Sequence, residues 1–274
     1  GNLTSALIIL YAKSGTFIGS ILFFVVLGSL LVGNEFIRNR YSRTYLHVAV
    51  WYALLLAYAV VVVPIFFGAI GDFVFLVSVL SSLAVVMILI GTLYAVAARE
   101  LLARIHQIIA TVGIIAAVWT LLYFTGTIPP APLMLRHIGV YHSIERTAEG
   151  DYRGMMEPPF WFELFADTSR TYSYVQGKNA YCASAVFAPA NLEAPIFHRW
   201  ESYDQKEGDW VSNARIPFSI RGGRDNGFRG YTVATVRPGT WRCSVETERG
   251  ALIGRITFKV VESEVSPATQ EVVF

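Results

Sequence analysis

The sequence predicts a membrane α-helical bundle with four spans, followed by an all-β antiparallel sandwich. Three observations predict it. The first half is almost wholly apolar. The second half is charged and built from short alternating runs. Between them lies Thr127–Pro132, Thr-Ile-Pro-Pro-Ala-Pro, which cannot continue a helix and biases the chain to extended conformations.

The chain has 274 residues, 54% hydrophobic and 15% charged. Globular proteins average roughly 45–50% apolar and about 25% charged. The departure is confined to residues 1–129, which carry as bases only Lys13, Arg38, Arg40, Arg43, Arg99 and Arg104, and as acids only Glu35, Asp72 and Glu100. The remaining 16 basic and 17 acidic residues leave the second half near neutral, which argues against nucleic-acid binding. We expect a helical domain over 1–128, a linker over 129–136 and a β-domain over 137–274. The chain opens on Gly1 rather than Met, and residues are expected to precede it.

Leu3–Ala12 is apolar but too short to span. Phe17–Val32, with Gly15, Thr16 and Gly33, reaches the length of a span of about 20 residues. Asn34–Arg43 reads as a polar loop. Tyr45–Phe67 is the second expected span, with Pro64 near its end, where a kink is expected. Gly68–Asp72 is a tight turn, Phe73–Ala98 the third span, Arg99–His106 a basic loop and Gln107–Phe124 the fourth span. Arginines crowd the first and third connections, whereas the second has one acid and no base. The positive-inside rule then puts the arginine loops in the cytoplasm and the β-domain outside. No Asp, Glu, Lys or Arg sits in the middle of a span, which favours anchoring or assembly over transport.

In the second half, His137–Glu145, Tyr152–Met156, Tyr172–Val175, Ala180–Phe187, Pro195–Tyr203, Trp210–Ile220, Gly230–Val236, Thr240–Thr247 and Leu252–Val261 read as strands separated by turn residues. Alternation places Trp241, Cys243 and Val245 inward, and likewise Leu252, Gly254, Ile256, Phe258 and Val260. Two cysteines, Cys182 and Cys243, flank Trp200 on this pattern. An immunoglobulin-like sandwich bridges its sheets with such a pair packed on a tryptophan. The alternative is two buried thiols acting as small hydrophobes.

Candidate binding residues fall in two places. Arg221, Arg224 and Arg229 lie on or beside the glycine-rich run Arg221–Arg229, and with Trp200 and Trp210 suit an anion or a sugar. The same run also reads as a hairpin connection with solvated charges. Phe160 and Trp161, in Pro158–Phe165, form either an exposed patch for a partner or core filling. His198 and Trp200 share one strand face and Arg199 takes the other; His198 is expected to be a hydrogen-bonded structural residue. Two cysteines give no zinc site, and no metal or cofactor is expected. Gly-x-Ser-x-Gly and His-Glu-x-x-His are missing, and Glu163, Asp167, Glu201 and Asp204 form no catalytic pairing.

His198-Arg199-Trp200, the arginine run, and Gly239-Thr240-Trp241-Arg242 with Gly254 and Phe258-Lys259-Val260 resemble the domain-of-unknown-function family numbered 2914. The resemblance covers roughly Phe187–Val261. The layout, spans and then this domain, is similar to proteins carrying a membrane domain numbered 5924. The resemblance implies a Gram-negative envelope setting and assigns no activity. The expected protein is a non-enzymatic, multi-pass bacterial inner-membrane protein with a periplasmic β-domain. Its expected partners are the lipid bilayer and another envelope protein or membrane complex. The alternative is a ligand- or carbohydrate-binding sensor module.

Overall fold

The computed structural model describes residues 2–13, 21–38, 44–129, 132–147, 151–158, 168–189, 192–221 and 227–273. It divides into two compact units, Gly1–Pro132 and Leu133–Phe274.

The first unit is helical: α1 (Asn2–Lys13), α2 (Ile21–Arg38), α3 (Thr44–Phe67), α4 (Asp72–Leu102) and α5 (Ile105–Phe124). Among the described residues three stretches, Tyr45–Phe67, Asp72–Ala95 and Ile105–Phe124, are helical, long and apolar enough to cross a membrane. The expected span at Phe17–Val32 is met only in part, since 17–20 lie outside the described residues and α2 ends in Asn34, Glu35 and Arg38. Asn34–Arg38 of the first expected loop and most of Arg99–His106 are helix, while 39–43 lie outside the described residues. Neither Asn34–Arg38 nor Arg99–His106 contains Gly or Pro, so nothing local stops the helix, and α4 and α5 break only at Ala103 and Arg104. Gly68–Asp72 does turn, with Gly68 at φ 64°. The unit packs on aromatics: Phe23 meets Tyr11 at 4.8 Å and Trp119 at 5.9 Å, and Phe75 stacks on Tyr123 at 3.7 Å. Three of its buried hydroxyls bond backbone carbonyls, while the buried Tyr52 hydroxyl has no hydrogen-bond partner among the described residues. Ser78 and Ser82 donate to carbonyls of their own helix, and Tyr11 donates to the Ala57 carbonyl of α3.

The second unit is β-rich: β1 (Met134–Tyr141), β2 (Ser143–Arg146), β3 (Tyr152–Met156), β4 (Thr171–Tyr174), β5 (Ala180–Phe187), β6 (Glu193–Asp204), β7 (Asp209–Arg221), β8 (Phe228–Ala234), β9 (Gly239–Thr247), β10 (Leu252–Glu262) and β11 (Gln270–Val273). A five-stranded sheet runs β4-β10-β9-β6-β7, and three-stranded sheets run β1-β5-β8 and β11-β3-β2. The first two share one core, in which Val140 and Cys182 meet Trp200, Trp241, Cys243, Ile256, Phe258 and Val260. Cys182 and Cys243 form a disulfide across it, from β5 to β9. Ala183, on the other face of β5, joins Tyr141, Ile144 and Met156 in a second core under the third sheet. Strand β5 is therefore covered on both faces.

Three strand expectations change. His137–Glu145 is two strands in two sheets, split at His142, whose Nε2 lies 2.9 Å from Glu157 Oε1 and whose ring stacks on Tyr172 at 4.3 Å. Burial raises the Glu157 pKa, but hydrogen bonds from His142 and Ser173 outweigh it and hold the carboxyl below its usual range. The sheets are not antiparallel throughout: β4 runs parallel to β10. Strands β4 and β10 are separated by five intervening strands, and a parallel pair needs such a crossover rather than a hairpin. A register irregularity between Leu252 and Gly254 buries Ile253 in place of Leu252. The inward set is as expected from Gly254 onward.

Gly227 enters β8 at φ 84°, and a Cβ there would lie 3.0 Å from the carbonyl carbon of Val186. Both the dihedral and the neighbouring backbone exclude a side chain. Gly227→Ala is expected to cost about 1–3 kcal/mol, read as a lowered Tm of the full chain in detergent.

Candidate functional site

Alternation on β6, β9 and β10 buries His198, Trp200, Cys243, Val245, Ile256 and Phe258 and turns Arg199, Glu201, Arg242, Ser244, Glu246 and Arg255 to the opposite sheet face. Register then lines these residues up across strands. Arg255 of β10 lies opposite Ser244 of β9, Ser244 opposite Arg199 of β6, and Arg199 opposite Arg215 of β7. Arg242 lies opposite Glu201 in the neighbouring row. Like charges opposite one another destabilise a sheet unless something intervenes.

Two glutamates intervene. Arg242 donates to Glu201 through Nε (2.5 Å) and Nη2 (2.9 Å), and Arg199 Nε lies 3.5 Å from Glu201 Oε1. Glu246 accepts a hydrogen bond from Arg215 (2.7 Å) and lies within ion-pair distance of Arg199 (3.3 Å), although Arg199 Nε and Glu246 Oε2 make no hydrogen bond. Both carboxylates are almost fully covered although their sheet face looks away from the core: Glu201 is 4% exposed and Glu246 1%. Arginine stems and rings cover them. The Arg215 guanidinium lies 3.8 Å over the Phe197 ring, and that of Arg242 4.3 Å over Trp210, which meets Tyr203 edge to face.

The ladder is incomplete at one end. Among the described residues, Arg255 has no carboxylate within ion-pair distance, and the buried Ser244 hydroxyl has no hydrogen-bond partner. Burial, then the guanidinium of Arg242, lower the Arg255 pKa; Glu201 opposes this and Arg199 adds to it. Four arginines thus face two glutamates, a surplus of two positive charges, and Arg255 is the arginine that neither glutamate reaches at ion-pair distance. Such a face can hold an anion in forked hydrogen bonds.

The residues expected from sequence are scattered. Trp210 lies in this ladder. Trp200 is fully buried beside the disulfide and donates its indole N–H to Thr232 Oγ1 at 3.0 Å, so it is core and not a binding residue. Arg229 belongs to the β1-β5-β8 sheet and pairs with Asp151. Arg221 closes β7 opposite Glu193, while Arg224, Phe160 and Trp161 lie outside the described residues. Arg199, Glu201, Arg215, Arg242, Glu246 and Arg255 were not singled out as a site. Their only local trace is a charge at alternate strand positions, as in Arg199-x-Glu201 and Arg242-x-x-x-Glu246.

The donor atoms of Cys182, His198 and Cys243 lie within 4.8 Å of one another. The sulfurs are joined to each other, and the imidazole is held at both nitrogens by Ser184 Oγ (2.8 Å) and Thr232 Oγ1 (3.0 Å), so all are engaged without a metal. In the helical unit an apolar cleft of about 350 Å³ lies between α2, α3 and α5, lined by Val26, Ala53, Ile114 and Trp119 among others.

Residues 193–260, which contain the whole ladder, match a family described as a protein of unknown function (DUF2914). No curated protein matches the chain. Among solved structures, it is similar to a β-glucosidase from Listeria innocua, at 10% identity and TM-score 0.28, over 46% of this chain and 17% of that one. An alkylpurine DNA glycosylase from Pseudomonas fluorescens aligns at 13% identity and TM-score 0.27, over 56% and 38%. An immunoglobulin-like protein from Pseudomonas aeruginosa aligns at 12% identity and TM-score 0.25, over 46% and 97%. Likenesses at this level carry no argument about activity.

Arg242→Ala removes the bidentate partner of Glu201. The expected loss is roughly 3 kcal/mol, measured by denaturant unfolding of the full chain in detergent. Burial lowers the pKa of His198 to about 3, whereas an unfolded histidine titrates near about 6.5. Below that value the unfolded chain binds a proton that the folded chain refuses, so stability falls as pH drops from about 6.5 toward 3. Unfolding curves at stepped pH should show this slope, and His198→Gln should flatten it.

Proposed function

We propose that this chain is a multi-pass protein of a bacterial inner membrane. Its helices anchor a periplasmic, immunoglobulin-like β-domain that binds another envelope protein without catalysing a reaction. The ladder on the five-stranded sheet is the docking face. One observation carries this reading: an arginine without a counter-carboxylate among the described residues, at the end of an otherwise ion-paired ladder on an outward sheet face. Arginine together with Trp and Tyr is the composition of binding hot spots.

The membrane setting draws on the three apolar helices, with Phe17–Val32 as a fourth span. The outward direction draws on Arg38, Arg40, Arg43, Arg99 and Arg104 in the alternate connections. The disulfide accords with an oxidising compartment. The carbohydrate-sensor reading is weaker because Trp200 is buried and Arg242 occupies one face of Trp210.

A photo-crosslinking amino acid at Ser212, exposed opposite Glu201 on the ladder side, should trap a discrete protein in intact cells. The same group at Gln176, in the exposed turn between β4 and β5, should not. Equal yields at both positions, or none at Ser212, would count against recognition through this face.

A further inference from the structure

We infer that the partner presents an aspartate or glutamate carboxylate that docks on Arg255, at the open end of the row, and completes the ladder as its third acid. This rests on the recognition reading above and names the chemistry at its centre.

The pattern of the ladder assigns the missing group. Each of its carboxylates serves two arginines: Glu201 serves Arg242 and Arg199, and Glu246 serves Arg199 and Arg215. Arg199 is thereby shared, and Arg255 is left over. Continuing the alternation past Ser244 calls for an acid at Arg255. The strands themselves offer none there: β10 carries Thr257 and Lys259 at the next outward positions, and β9 carries Ser244 opposite. Thr257 is small and exposed, so Arg255 is open on that side. Ser244 in the same row is fully covered, so Arg255, exposed at the end of the row, is the donor that an incoming carboxylate reaches.

The face also favours a protein over an anionic polymer. Its cations are arginines with planar forks, already engaging carboxylates side-on, and Lys259 is the lysine it carries. Phe197, Tyr203 and Trp210 lie along it, which matches the arginine and aromatic enrichment of protein interfaces. Polyanion binding rests on many interchangeable point charges instead.

The test uses the full chain in nanodiscs and a labelled glutamate-rich peptide followed by fluorescence anisotropy. Its competitors are the glutamine counterpart of the peptide, polygalacturonate and inorganic phosphate. The glutamate peptide should bind and its glutamine counterpart should not compete. Arg255→Glu should weaken binding by about tenfold or more. Arg255→Lys, which keeps the charge and loses the fork, should weaken it severalfold. Lys206→Glu, the same charge change on the β6–β7 turn, should leave it unaltered. Unchanged Tm values would show that the Arg255 variants fold. Binding indifferent to Arg255→Glu, or equal competition by the glutamine peptide, would overturn the inference. Polygalacturonate or phosphate competing through Arg255 more tightly than the peptide would reassign the site to a glycan or to a simple anion. If Ser212 still traps its partner in the Arg255→Glu chain, docking stands and only the carboxylate assignment fails. If the wild-type chain traps nothing at Ser212, the docking reading itself fails.

Discussion

The seam between the five-stranded sheet and the β1-β5-β8 sheet decides which residues face outward. His198 on β6 is held by Ser184 of β5 and Thr232 of β8, and Trp200, two residues on, donates to the same Thr232. Cys243, opposite Trp200 on β9, is tied to Cys182 on β5. These contacts pin β6 and β9 against the other sheet with the even positions of β6 and the odd positions of β9 inward. A strand has a side-chain period of two, so a slip of one residue would bury Arg199 and Glu201 and expose the tryptophan. The polar seam is fully buried, which makes such a slip costly: each of its groups would lose a partner in a dry interior.

From that constraint follows an outer face that is nearly as covered as a core. Ser244 and Glu246 are buried although they point away from the disulfide side. The sheet is roofed by arginine stems lying on Phe197 and Trp210. A carboxylate under such a roof is screened from water, so its pairing is worth more than that of an exposed salt bridge. The same roof concentrates positive charge: four guanidinium groups share two carboxylates on one sheet face, an excess of two charges. The chain as a whole carries a net charge of only +2. Recognition here would therefore be a matter of specific geometry more than of long-range attraction.

Much of this was legible in the sequence. The inward set Trp241, Cys243 and Val245 is buried as alternation predicts, and Ala180–Phe187 is a strand at both expected ends. The tight turn at Gly68–Asp72 was readable because Gly68 and Gly71 punctuate it. The ladder was not readable. Its row joins residues 255, 244, 199 and 215, brought together by pairings among β10, β9, β6 and β7, and no local window contains it. The glycine-rich arginine run drew notice because its charges are adjacent in sequence. Trp200 was misread as a binding residue because a tryptophan beside an arginine looks the same in sequence whether it faces core or solvent.

By itself the sequence determined the division into an apolar helical part and an alternating β part, because length, hydropathy and period are local properties of a chain. It also determined, within each strand, which residues share a face. The tertiary structure alone decided the rest: the parallel seat of β4 beside β10, the disulfide across the core, and the row that sets three arginines and a serine side by side. Those depend on strand order and register, which are fixed by packing against distant segments. Charges spaced along a chain become a site only once the sheet has brought their strands within reach of one another.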